Sequence, residues 1–428
     1  MAADLLAESE RLLSGETPID DRHPLFIRGG TGLTELGDGT AFVESFANVV
    51  ALTSGGRMLL VDAGGILHFR QVHEAVRAWT DAPLDVAVYT HGHVDHVWAV
   101  PLFEAEGAPV RVVAHENLPA RFDRYDRTNG YNGVINQRQF GLPQPMFPTG
   151  FRYPDETYRD RLTLDLAGLE VQLHHDKGET DDGTWVWVPD RKVLCTGDLF
   201  IWASPNCGNP QKVQRFPFEW AAALRRMAGL GAELMLPGHG LPIAGTERIA
   251  GVLGDTAELL ESLVEQSLAL MNDGARLDDL VHTVRVPEHL AGRPWLQPVY
   301  DDPEFVVRNV WRLYGGWYDG NPAHLQPAPE AALAAELADL AGGAAVLADR
   351  ATALAASGDL RLAGHLAEMA ALAAPGDPGV HAVRRDVNLA RLEAERSLMA
   401  QGVYRWAVDE SARRITELDG SDEQDRND

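Results

Sequence analysis

The pattern of hydrophobic and polar positions predicts an N-terminal part of mixed strands and helices followed by a helical C-terminal part. Short apolar runs rich in β-branched residues predict strands at residues 48–53, 57–61, 86–89, 169–174, 185–188 and 192–195. Apolar residues at helical spacing predict helices at residues 2–13, 247–271, 345–356, 360–373 and 380–401. The predicted fold class is therefore α+β.

One stretch, residues 121–154, shows no clear period and is rich in polar and aromatic residues and proline. We expect a long irregular insertion here. Such insertions are often loops that cover a substrate, although a surface excursion without function is an alternative.

Length and charge narrow the function classes. The 428 residues allow two or three domains, and 63 acidic against 37 basic side chains give a net charge of −26. Such a surface repels nucleic acid and anionic lipid, so we expect neither nucleic acid nor a membrane as a partner. The chain has two cysteines, no N-terminal stretch typical of a signal peptide and no apolar run of about 20 residues. We therefore expect a cytoplasmic protein.

A metal-binding pattern follows the predicted strand at residues 86–89. His91 and His93 are separated only by Gly92, and Asp95 and His96 come directly after them. Imidazole nitrogen and carboxylate oxygen are ligands that Zn²⁺ prefers in sites without thiolates. The string predicts two neighbouring metal positions.

This His-x-His-x-Asp-His string resembles the signature of the metallo-β-lactamase superfamily, which implies an αββα sandwich. The resemblance implies that the remaining ligands are Glu179, where most members have a histidine, Asp198 of Thr196-Gly197-Asp198 as a bridge, and His239. His174 and His175 lie near Glu179 but fit the position less well. Asp62 follows a predicted strand and could orient the metal loop; a turn-forming aspartate without that role is the alternative.

The glutamate and the stretch Tyr314–Pro322 (Tyr-Gly-Gly-Trp-Tyr-Asp-Gly-Asn-Pro) resemble the linear alkylsulfatases and their dimerisation domain. The resemblance implies an all-helical, tetratricopeptide-like dimerisation domain and a homodimer. We expect residues 1–19 to form an N-terminal helix or arm, 20–245 the metallo-hydrolase domain, and 246–428 the helical domain with a polar tail. We expect no counterpart of the sterol-carrier-like third domain of longer members.

The expected activity is hydrolysis of a small-molecule ester by two zinc ions per chain; iron or manganese would also suit these ligands. Two cations make a bridging hydroxide available near neutral pH and stabilise charge on an ester oxygen. Asp95 and Asp198 are the predicted catalytic residues as well as metal ligands. The resemblance favours a sulfate ester of an alkyl or other hydrophobic alcohol.

Two positions depart from the alkylsulfatase pattern. Asn206 matches an asparagine that follows the bridging acid, but the arginine expected next is Gln211, and an expected tyrosine is Phe140. The predicted substrate-binding residues are Asn206, Gln211, Lys212, Arg215, Arg138 and Phe140. The cations among them could hold a sulfate or could be ordinary surface charges. A hydrolase of a lactone, thioester or phosphoester is therefore an alternative, as is a scaffold without catalysis.

Overall fold

The computed structural model describes residues 2–17 and 31–425, which divide into two compact units. The first unit comprises Met1–Asn129 and Pro148–Trp317, and the second comprises Gly130–Phe147 and Tyr318–Asp428. Units defined by packing do not test the predicted domain boundaries at residues 19 and 245, which stay predictions.

Two mixed β-sheets form the centre of the first unit. The seven-stranded sheet has the order β1 to β7, with bounds Gly32–Gly37, Thr40–Glu44, Val49–Ser54, Arg57–Val61, Leu84–Val88, Arg111–His115 and Glu156–Tyr158. The six-stranded sheet has the order β13-β12-β11-β10-β9-β8, where β8 to β13 are Arg161–Leu166, Leu169–His175, Thr184–Val188, Val193–Gly197, Leu234–Pro237 and Ile243–Ala244. Neighbouring strands are antiparallel except for β4 to β7 and for the pair β11 and β12, which are parallel.

The core lies between the two sheets. Apolar side chains of both sheets, such as Leu59 and Val88 of the first and Val171 and Leu194 of the second, belong to one buried cluster. All five residues of β10 are buried. This explains why its sequence is a continuous apolar run and does not alternate between apolar and polar residues.

Helices cover both faces of the sandwich in the first unit and form the second unit. Helices α1 to α15 span Ala2–Ser14, Phe69–Trp79, Val100–Glu104, Leu118–Phe140, Pro217–Ala228, Thr246–Asn272, Leu277–Thr283, Glu288–Ala291, Pro303–Gly315, Pro322–Leu325, Glu330–Ala341, Ala344–Ala356, Leu360–Ala373, Pro378–Ala394 and Leu398–Asp425. The helix α2 packs on the first sheet and α6 on the second. The predicted α+β class, with an αββα sandwich and a helical C-terminal part, is confirmed.

Two predictions of local structure are wrong. The first part of the stretch 121–154 is not irregular but belongs to α4, which is interrupted only by non-helical backbone at Thr128. Its polar residues and two internal glycines hide the helical period, because few of its positions are apolar. The helix predicted at residues 380–401 is two helices, α14 and α15, with a break at residues 395–397.

The helices of the second unit pack around small residues. Alanines from α11, α12 and α13 fill two buried clusters together with leucine and valine side chains. Within residues 2–17 and 31–425 no single helix is long and apolar enough to cross a membrane; α11 and α12 together pass on length and composition alone, with a bend of 86° between them.

Candidate metal centre

The predicted ligands all lie at one end of the sandwich, where strands of both sheets finish. His91, His93, Asp95 and His96 follow β5. Glu179, Asp198 and His239 follow β9, β11 and β12. These three strands run in the same direction within the second sheet, so their carboxyl ends meet at one edge. The topology therefore brings together ligands that are up to 148 residues apart.

The first group of ligand atoms comes from His91, His93, Glu179 and Asp198. Nε2 of His91 lies 2.8 Å from Nδ1 of His93, and Oε2 of Glu179 lies 3.3 Å from the same Nδ1 atom. Nε2 of His91 also lies 3.6 Å from Oε2 of Glu179 and 3.6 Å from Oδ2 of Asp198. Four donor atoms thus surround one point.

The second group comes from Asp95, His96 and His239. Oδ2 of Asp95 lies 3.4 Å from Nε2 of His239 and 3.7 Å from Nε2 of His96. Asp198 reaches this group too, because its Oδ1 lies 3.4 Å from Nε2 of His96 and its Oδ2 lies 3.3 Å from Nε2 of His239. Asp198 is therefore placed between the two groups, as a bridging carboxylate must be.

These residues fit a pair of bound cations. Tetrahedral zinc with bonds of about 2.0 Å places its ligand atoms about 3.3 Å apart, close to the separations observed here. Among the described residues, Nε2 of His96, Oε2 of Glu179 and Oδ1 of Asp198 are buried and have no hydrogen-bond partner. A buried polar atom without a partner costs about 1–3 kcal/mol, and two metal ions, one in each ligand group, would satisfy all three atoms. The residues thus form a candidate dinuclear metal centre.

Three of the histidines use their second ring nitrogen to fix the orientation of the ring. Nδ1 of His96 lies 2.8 Å from Oδ2 of Asp62, and Nδ1 of His239 donates to the carbonyl oxygen of Phe46. Nδ1 of His91 lies 3.0 Å from the hydroxyl of Thr90, which itself donates to Asp62 at 2.8 Å. Such partners fix the tautomer and leave the other nitrogen for metal.

Asp62 is placed as predicted for a residue that orients the metal loop. Besides His96, its carboxylate accepts a hydrogen bond from the backbone N–H of Thr90 at 2.7 Å. Its backbone has a φ of 63°, which is uncommon for a residue other than glycine. The contacts of its side chain with the metal loop offset the cost of that conformation.

The carboxylates of the centre are anionic. Burial acts to raise the pKa of Glu179, but the charges of Arg215 and His93 outweigh it and lower that pKa to about 2. Burial likewise opposes ionisation of Asp198, but His239 and His96 hold its pKa well below the usual range. Asp95 has a lowered pKa because His96 and His239 outweigh burial. The pocket therefore concentrates negative charge that attracts a cation.

The pKa values of two histidine ligands are shifted in opposite directions by their surroundings. Burial and the nearby His96 lower the pKa of His91 to about 3, so its imidazole is neutral and able to bind metal. Burial opposes protonation of His239, but Asp198 and Asp95 raise its pKa to about 10. Metal must therefore displace a proton from His239, and binding will be pH-dependent.

Backbone contacts keep the ligand loops in place. The N–H of Gly92 donates to Oδ2 of Asp182 at 2.9 Å, and Oδ1 of Asp182 accepts from Nε of Arg121 at 2.9 Å. Gly238 must be a glycine, because a Cβ atom there would collide with Oδ1 of Asp198. The side-chain amide of Asn48 donates to carbonyl oxygens of Pro237 (3.0 Å) and Gly240 (2.8 Å), on either side of His239.

Two predicted substrate residues lie at Glu179. The side-chain amide of Asn206 and Nη1 of Arg215 both donate to Oε1 of Glu179. Arg215 is 2% exposed, so it is not an ordinary surface charge. A substrate contact by either residue stays a prediction.

The other predicted substrate residues are more scattered. Burial, then the charge of Arg215, lowers the pKa of Lys212 to about 8, although Asp95 and Glu179 act to raise it. Gln211 precedes Lys212 in the same loop. Arg138 and Phe140 belong to the second unit, where the guanidinium of Arg138 lies 5.4 Å from the ring centre of Trp406. Their role stays a prediction.

The sequence did not reveal several residues that surround the site. Tyr300 packs against Ile201 and Ala203, and burial, followed by the charges of Asp95 and Glu179, raises the pKa of its phenol. Tyr300 carries no local signal, because about 100 residues separate it from Asp198. Asp182 could have been found, since the pair Asp181-Asp182 follows Glu179 closely.

Comparison with known proteins agrees with this geometry. The model of the metallo-beta-lactamase superfamily matches residues 43–239, which include all seven ligands, and the model named alkyl sulfatase dimerisation matches residues 276–414. The chain thus combines a region that matches the metallo-beta-lactamase superfamily with a region that matches the alkyl sulfatase dimerisation domain.

Individual relatives of this metallo-beta-lactamase-fold chain point the same way. It is 31% identical to the linear primary-alkylsulfatase of a Pseudomonas species, over 72% of this chain and 62% of the relative. It is 29% identical to an alkyl/aryl-sulfatase of Saccharomyces cerevisiae, over 80% of this chain and 58% of the relative. The chain thus spans about three fifths of the length of these curated relatives.

The solved structure of the stereoselective inverting sec-alkylsulfatase from Pseudomonas sp. superposes with a TM-score of 0.80. The match covers 89% of this chain and 66% of that one at 21% identity, and so supports the shared fold.

Proposed function

We propose that this chain is a dinuclear zinc hydrolase that cleaves the sulfate ester of an alkyl or other hydrophobic alcohol. The observation that carries the proposal is the arrangement of seven ligands in two groups that share Asp198. The likeness to a linear primary-alkylsulfatase supports the choice of substrate.

The ligand types support zinc in both positions. Histidine nitrogen with one or two carboxylate oxygens per ion, at tetrahedral spacing, is typical of zinc hydrolases. Two divalent cations bound there supply Lewis acidity and the activation of water near neutral pH. Iron and manganese also accept these ligands, so metal analysis must accompany any assay.

The chain's own residues have separable tasks in this proposal. Asp198 would be shared by the two ions and Asp95 would hold one of them, while Asp62 with Thr90 fixes the rings of His96 and His91. We assign the binding of the sulfate group to Lys212, because it lies in the loop between Asn206 and Arg215 and because Arg215 is already paired with Glu179. A lysine binds an anion as a point charge, whereas arginine could grip two oxygens.

A hydrolase of another ester, such as a lactone, thioester or phosphoester, is the second candidate. Gln211 favours it, because a neutral amide stands where the resembled family has an arginine, and a neutral residue removes one sulfate contact. The two candidates share the metal centre and differ in the leaving group.

Sulfate release from a medium-chain alkyl sulfate tests the proposal, measured before chelation, after chelation and after restoring zinc. We expect release that requires metal, is lost in Glu179→Ala and is kept in His174→Ala. His174 is a matched control because it lies in β9, the strand that precedes Glu179, and its ring stacks on Trp185. A protein that holds two metals per chain, releases no sulfate and turns over another ester would replace the first candidate by the second.

The remaining proposals concern organisation. We propose a homodimer, supported by the match to a dimerisation domain, and the modules 20–245 and 246–428, within which both family matches fall. A cytoplasmic location is supported by Cys195 and Cys207, which are both free and buried.

A further inference from the structure

The two carboxylate oxygens of Glu179 have different surroundings. Oε1 accepts hydrogen bonds from Nδ2 of Asn206 and from Nη1 of Arg215. Oε2 has no hydrogen-bond partner and faces Nδ1 of His93 at 3.3 Å and Nε2 of His91 at 3.6 Å. Glu179 is therefore held so that only one oxygen is available to a cation.

Arg215 is fixed in this position from several sides. Its Nη1 also donates to the carbonyl oxygen of Asn206. Its backbone carbonyl accepts from Nδ2 of Asn309 at 3.0 Å, and its backbone N–H donates to Oδ1 of Asn309 at 3.4 Å. A guanidinium that is buried, paired with a carboxylate and anchored through its backbone is part of the centre's framework.

The pair changes the charge of the candidate centre. A glutamate in place of a histidine ligand adds one negative charge, which would make the centre less attractive to an anionic ester. The positive charge of Arg215, in direct contact with Glu179, cancels that added charge. Together Glu179 and Arg215 are neutral and offer one ligand atom to a metal ion. The pair is therefore electrically equivalent to a neutral histidine ligand.

We propose that Arg215 is a positioning residue that holds Glu179 to one-oxygen coordination and returns to the metal centre the positive charge required to bind an anionic substrate. The inference rests on the proposed metal centre and deepens the proposed function. It predicts that sulfate binding is kept when a neutral ligand replaces Glu179 and a neutral side chain replaces Arg215 in the same protein. Replacing Arg215 alone should weaken sulfate binding.

Binding of inorganic sulfate to the full-length, zinc-loaded protein tests this inference without any turnover. The variants are Arg215→Met, Glu179→His, and the double variant Glu179→His with Arg215→Met. Arg312→Met is the matched control, because Arg312 donates to Gln214 and Asn309 in the same network and to no ligand. Zinc content is measured on every dialysed sample, and the dissociation constant of sulfate by calorimetry.

We expect Arg215→Met to weaken sulfate binding at least about tenfold, as loss of a unit charge a few ångströms away implies at an effective dielectric constant of about 20. The double variant should hold two zinc ions and bind sulfate within about threefold of the unaltered protein, since its net charge is the same. Arg312→Met should change neither quantity. Arg215→Lys keeps the positive charge and should lose less affinity for sulfate than Arg215→Met. It replaces Arg215→Met in the comparison if that variant does not fold.

Two outcomes overturn the inference. If the double variant binds sulfate as poorly as Arg215→Met, Arg215 contacts the anion directly and does not compensate Glu179. If sulfate affinity is unchanged in Arg215→Met with two zinc ions present, the charge of Arg215 has no influence. Sulfate binding without turnover of any sulfate ester would contradict the proposed function and leave this inference standing.

Discussion

At the scale of single residues, the centre depends on the partners of the ligands as much as on the ligands. Asp62 contacts both His96 and Thr90, and Thr90 in turn contacts His91. One carboxylate therefore orients an imidazole in each metal group. This coupling means that a change at Asp62 should affect both metal positions together.

Asp62→Ala should weaken metal binding 10- to 100-fold, the usual cost of removing an outer-shell partner. It leaves the N–H of Thr90 and Nδ1 of His96 without acceptors, so we expect a loss of about 1–3 kcal/mol in unfolding free energy as well. Chelator competition and urea denaturation measure the two effects. Asp85→Ala is the control, because Asp85 makes an exposed ion pair with Arg57 and should stay within about 0.5 kcal/mol. Equal effects in both variants would contradict this role of Asp62.

The adjacent Asp181 and Asp182 offer a sharper comparison, because both pair with Arg121. The side chain of Asp182 is fully buried and also holds Gly92, whereas that of Asp181 is 45% exposed. Asp182→Ala leaves a buried guanidinium poorly paired and should cost about 3 kcal/mol or more. Asp181→Ala should cost less than about 1 kcal/mol. Urea denaturation of the two variants measures these costs in unfolding free energy. A larger cost for Asp181→Ala would show that the buried pair of Asp182 and Arg121 is not the more stabilising one.

At the scale of elements, α9 is the support for the loop that carries Asn206, Lys212 and Arg215. Asn309 on α9 binds the backbone of Arg215, and Asp301, just before the helix, accepts a hydrogen bond from the N–H of Gly208. The helix lies within the matched dimerisation domain yet belongs to the first compact unit. The loop's geometry therefore depends on a segment about 100 residues further along the chain.

Gly208→Ala should disturb this contact, because a Cβ atom at Gly208 would collide with the backbone of Phe305 and Val306 in α9. Rigid backbone cannot yield as a side chain can, so we expect a loss of about 1–3 kcal/mol and reduced sulfate release. Gly251→Ala in α6 is the control, since nothing lies within 4 Å of its added methyl group. That variant should be neutral or more stable by up to about 1 kcal/mol. A stable, fully active Gly208→Ala protein would contradict the role of this contact.

The separation of contacting residues along the chain decides which features could be predicted from the sequence. The strands and the ligands His91 to His96 follow from local patterns, and Glu179, Asp198 and His239 follow from a family resemblance at similar turns. The partner of Arg215 lies 36 residues away, and Asn309 lies 94 residues away, so no local pattern reveals either contact. The helix α4 is hard to predict for another reason: its apolar positions are few, and non-helical backbone at Thr128 interrupts the helical period.

At the scale of the whole molecule, the net charge of −26 contrasts with apolar side chains left exposed on α11. Leu333, Leu337 and Leu340 lie on one side of that helix and are 51%, 39% and 84% exposed. Like-charged protein surfaces repel, so a dimer must gain its stability from apolar contact. An apolar stripe within the matched dimerisation domain is the natural place for it.

We therefore expect the chain to sediment as a dimer at micromolar concentration and α11 to contribute to the interface of two equivalent copies. Leu333→Glu combined with Leu340→Glu places two like charges on each copy of that stripe and should shift the protein to monomer. Leu362→Glu is the matched control, because Leu362 is a similarly exposed residue, at 46%, on the separate helix α13. Sedimentation velocity over a tenfold dilution series measures the effect. A monomer at every concentration would contradict the homodimer itself, whereas a dimer unaffected by the double change would place its interface on another surface.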